Sequence, residues 1–179
     1  MIYLIRHGQA AASWGDHPDP GLSDLGRTQA ETVAASLSGL GLAHAFTSPM
    51  ARCQETGLFF ADLSGLGLRV EPHVTEIPTP AEVDDRVAWL RSLMSGDWSA
   101  APGVVADWKA NLLSTLNALP DQSVVFTHFV AINAIVGALE GTDQVTVFRP
   151  NYCSITKIER TPDGLRLIER GESLETKVL

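Results

Sequence analysis

Short apolar runs alternate with longer stretches of helical periodicity from the first residues onward. Ile2–Ile5 is apolar at successive positions and stops at Arg6 and His7, the pattern of a strand buried on both faces. A polar loop from Ala10 to Pro20 follows, and Ser23 then predicts the N-cap of a helix carrying Leu25, Ala30, Val33, Ala34 and Leu37 on one face. Gly39 and Gly41 end it. Ala43–Thr47 reads as a second strand. Ser48-Pro49 looks like an N-cap with proline at the first helical position, opening a helix to about Leu63. Leu68–Val70 is a third strand, and Pro72–Pro80 a proline-marked loop. The spacing predicts helices over Ala81–Met94 and Val104–Leu119, a β-branched strand over Ser123–Thr127 and a helix over Val130–Leu139. Val145–Phe148, Ser154–Glu159 and Leu165–Glu169 read as strands, the last two forming a hairpin through Thr161–Gly164. The predicted fold is α/β: a three-layer sandwich with a mostly parallel central sheet, helices on both faces and an antiparallel C-terminal hairpin. Residues 1–179 are expected to form a single domain, with a short helical insertion at about 72–122.

Composition narrows the function. Of the 179 residues 45% are apolar and 19% charged, enough for one sizeable core. Lys and Arg number 13 against 21 Asp and Glu, a net charge of −8 without a basic run, which argues against nucleic-acid partners. Anionic small molecules stay open, because a pocket can be locally positive in a negative protein. Cys53 and Cys153 are too few for a disulfide framework and lack zinc-site spacing. The opening apolar stretch is too short for a secretory signal, and no run approaches a membrane span. A soluble cytoplasmic domain is expected, with no membrane partner; nothing in the pattern specifies an oligomeric state.

Chemistry gathers at strand ends. Arg6 and His7 follow the first strand, Arg52 lies in the first turn of the helix after the second, and His128 follows Ser123–Thr127. Ligands of open α/β sheets bind beyond the carboxyl ends of the strands, so parallel pairing would bring these residues together. Arg6 and Arg52 supply planar donor forks suited to phosphate oxygens. The helix after Pro49 adds unpaired N–H groups, and His7 or His128 could attack phosphorus. Singly, each has a bland reading as a loop residue or surface charge; together they favour a phosphate site.

Leu4–Ala10 (LIRHGQA) resembles the Arg-His-Gly signature of the histidine phosphatase (phosphoglycerate mutase-like) superfamily. Leu22–Ala30 is similar to the segment that follows it there, Thr47–Thr56 to the Ser-Pro-x-x-Arg-x-x-x-Thr element, and Thr127–Gly141 to the second-histidine element. Asn151 and Ser154 stand like the family's small Asn-x-Ser element. The resemblance implies that His7 is the phosphorus nucleophile of a phosphohistidine intermediate, with Arg6, Arg52 and His128 around the phosphoryl oxygens. His7 would have to be neutral, and a protonated His128 would be one more donor. Glu76 is similar to the family's general acid; Asp16, Asp19 and Glu82 are alternatives. No metal or cofactor is implied. The competing metal reading would use His17 with Asp16 and Asp19.

Departures from the family bear on the reaction. Ala10 and Ser13 replace the Ser and Asn usual in mutases, and Phe129-Val130 replaces a frequent Gly-Gly. The insertion between Leu68 and Val124 is short, leaving little lid to retain a phosphorylated intermediate. A metal-independent phosphomonoester hydrolase is therefore expected, acting on a phosphorylated small molecule or phosphoprotein. A mutase or phosphotransferase using the same intermediate, and a non-catalytic phosphate-recognition module, are the alternatives. Ser13, Trp14 and Phe129 are candidates for contacting substrate, whereas Trp89, Trp98 and Trp108 read as packing.

Overall fold

Strands that are apolar on both faces need helices on both sides, and the chain supplies them in alternation. The computed structural model describes residues 1–12 and 17–174. Among these, six strands form one sheet: β1 (Ile2–Arg6), β2 (His44–Thr47), β3 (Leu68–Val70), β4 (Ser123–Thr127), β5 (Ile155–Thr161) and β6 (Gly164–Glu169), in the order β3-β2-β4-β1-β5-β6. Pairings from β3 to β1 are parallel, and β5 and β6 are added antiparallel. This is the expected sandwich.

The helices are α1 (Asp24–Leu37), α2 (Ala51–Ser64), α3 (Arg86–Met94), α4 (Gly103–Ala118) and α5 (Phe129–Glu140). Period-2 alternation divides the core. Ile5, Ala45, Val124 and Phe126 share one cluster with Val33 and Leu37 of α1 and Phe60 of α2. Leu4, Phe46 and Val125 share the other with Leu112 and Leu116 of α4 and Ile132 and Ile135 of α5. Each large apolar side chain so buried contributes about 1.5–3 kcal/mol. Trp98 and Trp108 are buried in this second cluster and Trp89 packs on it, as expected of packing residues.

Several local expectations are corrected. Leu25 is 53% exposed, because the buried stripe of α1 runs through Gly26, Ala30, Val33, Ala34 and Leu37 instead. Helix α3 starts at Arg86, not Ala81, since Asp85 caps it by accepting from the Ala88 N–H. Residues Val145–Phe148 are not a strand. The Val147 and Phe148 N–H groups donate to the Asn133 side chain at 2.7 and 3.1 Å, so a buried amide takes the place of a ladder partner. Helix α2 starts at Ala51, two residues later than Ser48-Pro49 suggests, and the Ser48 hydroxyl accepts from the Met50 N–H.

Candidate active site

Register assembles the site. Arg6 pairs with Thr127, and Thr47 with Phe126, so the residues following β1, β2 and β4 emerge side by side. The His7 N–H donates to the Thr127 carbonyl at 3.0 Å, and the rings of His7 and His128 lie 5.3 Å apart. Helix α2 then carries Arg52 in from beside them. Arg6, His7, Arg52, Glu76 and His128 are all buried.

The loop carrying His7 is braced by close backbone approach. A Cβ on Gly8 would sit 2.6 Å from the Gly26 carbonyl oxygen, and one on Gly26 would sit 2.1 Å from that of Gln9. The Gly8 N–H also donates to the Thr56 hydroxyl at 3.0 Å, which in turn donates to the Arg52 carbonyl at 2.6 Å. The glycines after His7 and in Leu22–Ala30, and the threonine one turn after Arg52, thus form one brace.

Arg52 joins the two imidazoles. Its Nε donates to His7 Nε2 at 3.2 Å and its Nη2 to His128 Nδ1 at 3.1 Å. A guanidinium only donates, so both ring nitrogens accept. His7 therefore carries its proton on Nδ1, which donates to the Gly8 carbonyl at 2.7 Å. His128 carries its own on Nε2, facing the Ser48 hydroxyl at 2.8 Å. Burial, then the Arg52 and Arg6 charges, holds His7 well below the usual histidine range. Burial and the neighbouring His7, Arg52 and Arg6 do the same to His128. The expected protonated His128 is corrected: here it is a neutral acceptor.

Arg6 is held differently. Its Nη1 donates to the Pro150 carbonyl at 2.8 Å, and its Cζ lies 4.0 Å from the Tyr152 ring centre and 5.3 Å from that of Phe129. Asn151 Oδ1 accepts from the Tyr152 N–H and Cys153 takes φ 56°, turning the Asn151–Ser154 segment so that Tyr152 covers Arg6. Tyr152 carried no chemical signal in the sequence, because it acts by its ring face.

Glu76 Oε2 lies 4.0 Å from His128 Nδ1, and its Oε1 accepts from the Ile77 N–H at 3.1 Å. Burial pushes its carboxyl up, opposed by that N–H and by Arg52, Arg6 and Arg86. The alternative acids are elsewhere. Glu82 is exposed, and Asp19 Oδ1 accepts from the Ala51 N–H at 2.9 Å, occupying the helix terminus expected to serve an anion. Asp16, Ser13 and Trp14 lie outside the described residues. His17 is exposed, its Nδ1 accepting from the Asp19 N–H at 3.1 Å.

Arg6, His7, Arg52, Glu76 and Phe129 line one cavity of about 730 Å³, together with Arg91 and Met94 of α3 and Tyr152. Arg91 was missed by sequence reasoning, since a helical arginine has no motif around it. Chemically, the arrangement can surround an anion with guanidinium groups while presenting an imidazole lone pair and a carboxylic acid. Cys53 Sγ lies 3.3 Å from His128 Nε2, but burial pushes its thiol far up and it serves as packing.

Among the described residues no helix is long and apolar enough to cross a membrane. A profile of the histidine phosphatase superfamily (branch 1) matches residues 2–172. A protein of Enterobacter sp. (strain 638) described as "Probable phosphoglycerate mutase GpmB" is 25% identical over 89% of this chain and 84% of its own. A phosphoserine phosphatase from Entamoeba histolytica, solved in complex with 3-phosphoglyceric acid, matches with TM-score 0.77 and 20% identity over 96% of each chain. A mycobacterial glucosyl-3-phosphoglycerate phosphatase matches with TM-score 0.74 and 21% identity over 97% of each chain. At these identities the two structures speak for the fold.

Proposed function

The chain belongs to the histidine phosphatase superfamily, branch 1, and from that premise we propose that it hydrolyses phosphomonoesters, without a metal, through a phosphohistidine at His7. The observation that carries the reading is the His7 ring itself. Its Nδ1–H is committed to the Gly8 carbonyl, which leaves the Nε2 lone pair facing Arg52 inside the cavity. Attack by Nε2 forms the N–P bond as the ester P–O bond breaks, and the leaving oxygen takes the Glu76 proton. Charge on the phosphoryl oxygens is met by Arg6 and Arg52. The Glu76 carboxylate then accepts a proton from the attacking water, which releases inorganic phosphate and restores neutral His7. Residues 1–179 would act as one unit, with the insertion at about 72–122 supplying Glu76 and Arg91 to the pocket wall.

The mutase names among the relatives favour a second reading, in which an acceptor hydroxyl replaces water in the second step. Neighbours named for phosphoserine and glucosyl-3-phosphoglycerate phosphatases favour hydrolysis of a small phosphorylated molecule. Hydrolysis of a phosphomonoester panel with added alcohol and sugar acceptors separates the two. Inorganic phosphate should account for all ester consumed; phosphorylated acceptor as the main product would move the reading to a transferase. Activity should also survive exhaustive chelation, because Arg6 and Arg52 supply the positive charge. Loss to a chelator, restored by one divalent ion, would overturn the metal-independent mechanism.

Glu76→Gln keeps size and removes the transferable proton. It should slow alkyl phosphates by about 10²–10⁴-fold and nitrophenyl phosphates far less, since a nitrophenolate needs little protonation to leave. Burial raises the Glu76 carboxyl, so the acid form required for the first step extends above the usual carboxylate range and is lost as pH rises. The wild-type kcat/KM profile for an alkyl ester should carry that alkaline limb, and Glu76→Gln should lack it. Equal losses across leaving groups would remove Glu76 from the acid role.

A further inference from the structure

Ser48 follows β2 fully buried, although helix α2 begins only at Ala51. Its backbone is pinned on both sides. The Ser48 N–H donates to the Phe126 carbonyl at 3.0 Å, and its carbonyl accepts from the Thr47 hydroxyl at 3.1 Å. The Met50 N–H donates to Ser48 Oγ at 3.2 Å, which fixes the side chain as well. Oγ then stands 2.8 Å from His128 Nε2, the ring nitrogen that carries the proton. Cys53 Sγ also lies 3.3 Å from Nε2, but sulfur is a weak acceptor and its own hydrogen reaches the Thr127 carbonyl at 3.4 Å. The other ring nitrogen, Nδ1, faces two groups that make opposite demands. Arg52 Nη2 donates to it at 3.1 Å, and Glu76 Oε2 lies 4.0 Å away. A proton on Nδ1 would oppose the guanidinium and offer the carboxylate a donor.

We propose that Ser48 is a positioning residue: by holding the His128 proton on Nε2 it keeps Nδ1 bare, and so keeps Glu76 available as an acid. The inference rests on the phosphatase reading, in which Glu76 protonates the leaving oxygen. An acid serves only while it holds its proton, and a donor beside its oxygen stabilises the carboxylate instead. The groups facing the Glu76 carboxyl are Arg6 at the end of β1, Arg52 on α2, Arg86 on α3 and His128 before α5, with the Ile77 N–H from its own segment. Burial outweighs the Ile77 N–H and the three arginines in setting the carboxyl. A further donor from His128 would tip that balance toward the anion. Arg52 biases His128 in the same sense as Ser48, but phosphoryl oxygens compete for its fork once an ester is bound. Ser48 is outside the lining of the cavity, so no substrate group competes for its hydroxyl.

Ser48→Ala leaves the His128 Nε2–H buried without a full acceptor, so the proton should move toward Nδ1. In 15N-histidine-labelled wild type, His128 should show a protonated Nε2 and a bare Nδ1; Ser48→Ala should populate the reverse tautomer. The 13C carboxyl signal of Glu76, assigned with Glu76→Gln, should titrate about one pH unit lower in Ser48→Ala, a 10-fold change in its ionisation constant. The alkaline limb of kcat/KM for an alkyl phosphate should move down with it, while turnover of nitrophenyl phosphate changes little. Ser48→Thr keeps the hydroxyl and should restore both the tautomer and the limb. A wild-type His128 carrying its proton on Nδ1 would overturn the proposal. So would a folded Ser48→Ala whose tautomer and Glu76 titration match wild type. If Ser48→Ala does not fold, Ser48→Cys takes its place: the weaker sulfur acceptor should give a smaller shift in the same direction, and no shift overturns the proposal. The two magnetic-resonance readouts need no turnover, so failure to hydrolyse any ester would count against the phosphatase reading alone.

Discussion

His7→Ala should bring turnover of every accepted phosphomonoester down by about 10⁵–10⁶-fold, the scale of loss when a covalent nucleophile is removed. No neighbouring group can take over. His128 is fully buried and does not line the cavity that His7 lines, while Cys53 is a buried thiol whose burial keeps it protonated. Circular dichroism should report an intact fold, because the brace through Gly8, Gly26 and Thr56 does not involve the imidazole. In the wild type, rapid quenching of a labelled ester should trap an acid-labile, base-stable phosphoryl group on His7. Near-normal turnover by a folded His7→Ala protein would end the phosphohistidine mechanism.

Arg52→Lys should lower kcat/KM by about 10²–10³-fold, comparable to removing a fixed transition-state donor. The arginine serves His7 through Nε and His128 through Nη2, at 3.2 and 3.1 Å. A single ammonium has neither the span nor the planar fork to serve both. Both imidazoles would lose the donor that sets their tautomers, and the phosphoryl oxygens would lose a preorganised cation. The variant's kcat/KM for nitrophenyl phosphate is the measurement. A change within assay error would mean that the charge alone suffices and that the bridging geometry is incidental.

Much of this was legible in the chain because it depends on local pattern. Short apolar runs ending near Arg6, Thr47 and Thr127 place the strands, and parallel order then places the residues that follow them. Features carried by long-range side-chain contacts were not legible. Asn133 takes the backbone of Val147 and Phe148 out of strand pairing, and Asp19 reaches across to the Ala51 N–H. The neutrality of His128 follows from complete burial beside Arg52, which a histidine after a strand does not announce. Arg91 and Tyr152 enter the pocket through helix orientation and a turn at Cys153, and neither has a spacing rule.

The interlocked backbone around Gly8 and Gly26 also divides the molecule by how freely it can vary. Any side chain at either position would collide with main chain, so the seat of the reactive ring tolerates almost no sequence drift. Arg91, Met94 and Arg149 stand on α3 and on the segment after α5, outside that brace. The cavity walls can therefore change by single substitutions while the backbone that seats the His7 ring keeps its geometry. Directed evolution confined to those walls should yield new preferences at little cost in folding, whereas libraries that include positions 8 and 26 should be dominated by inactive clones.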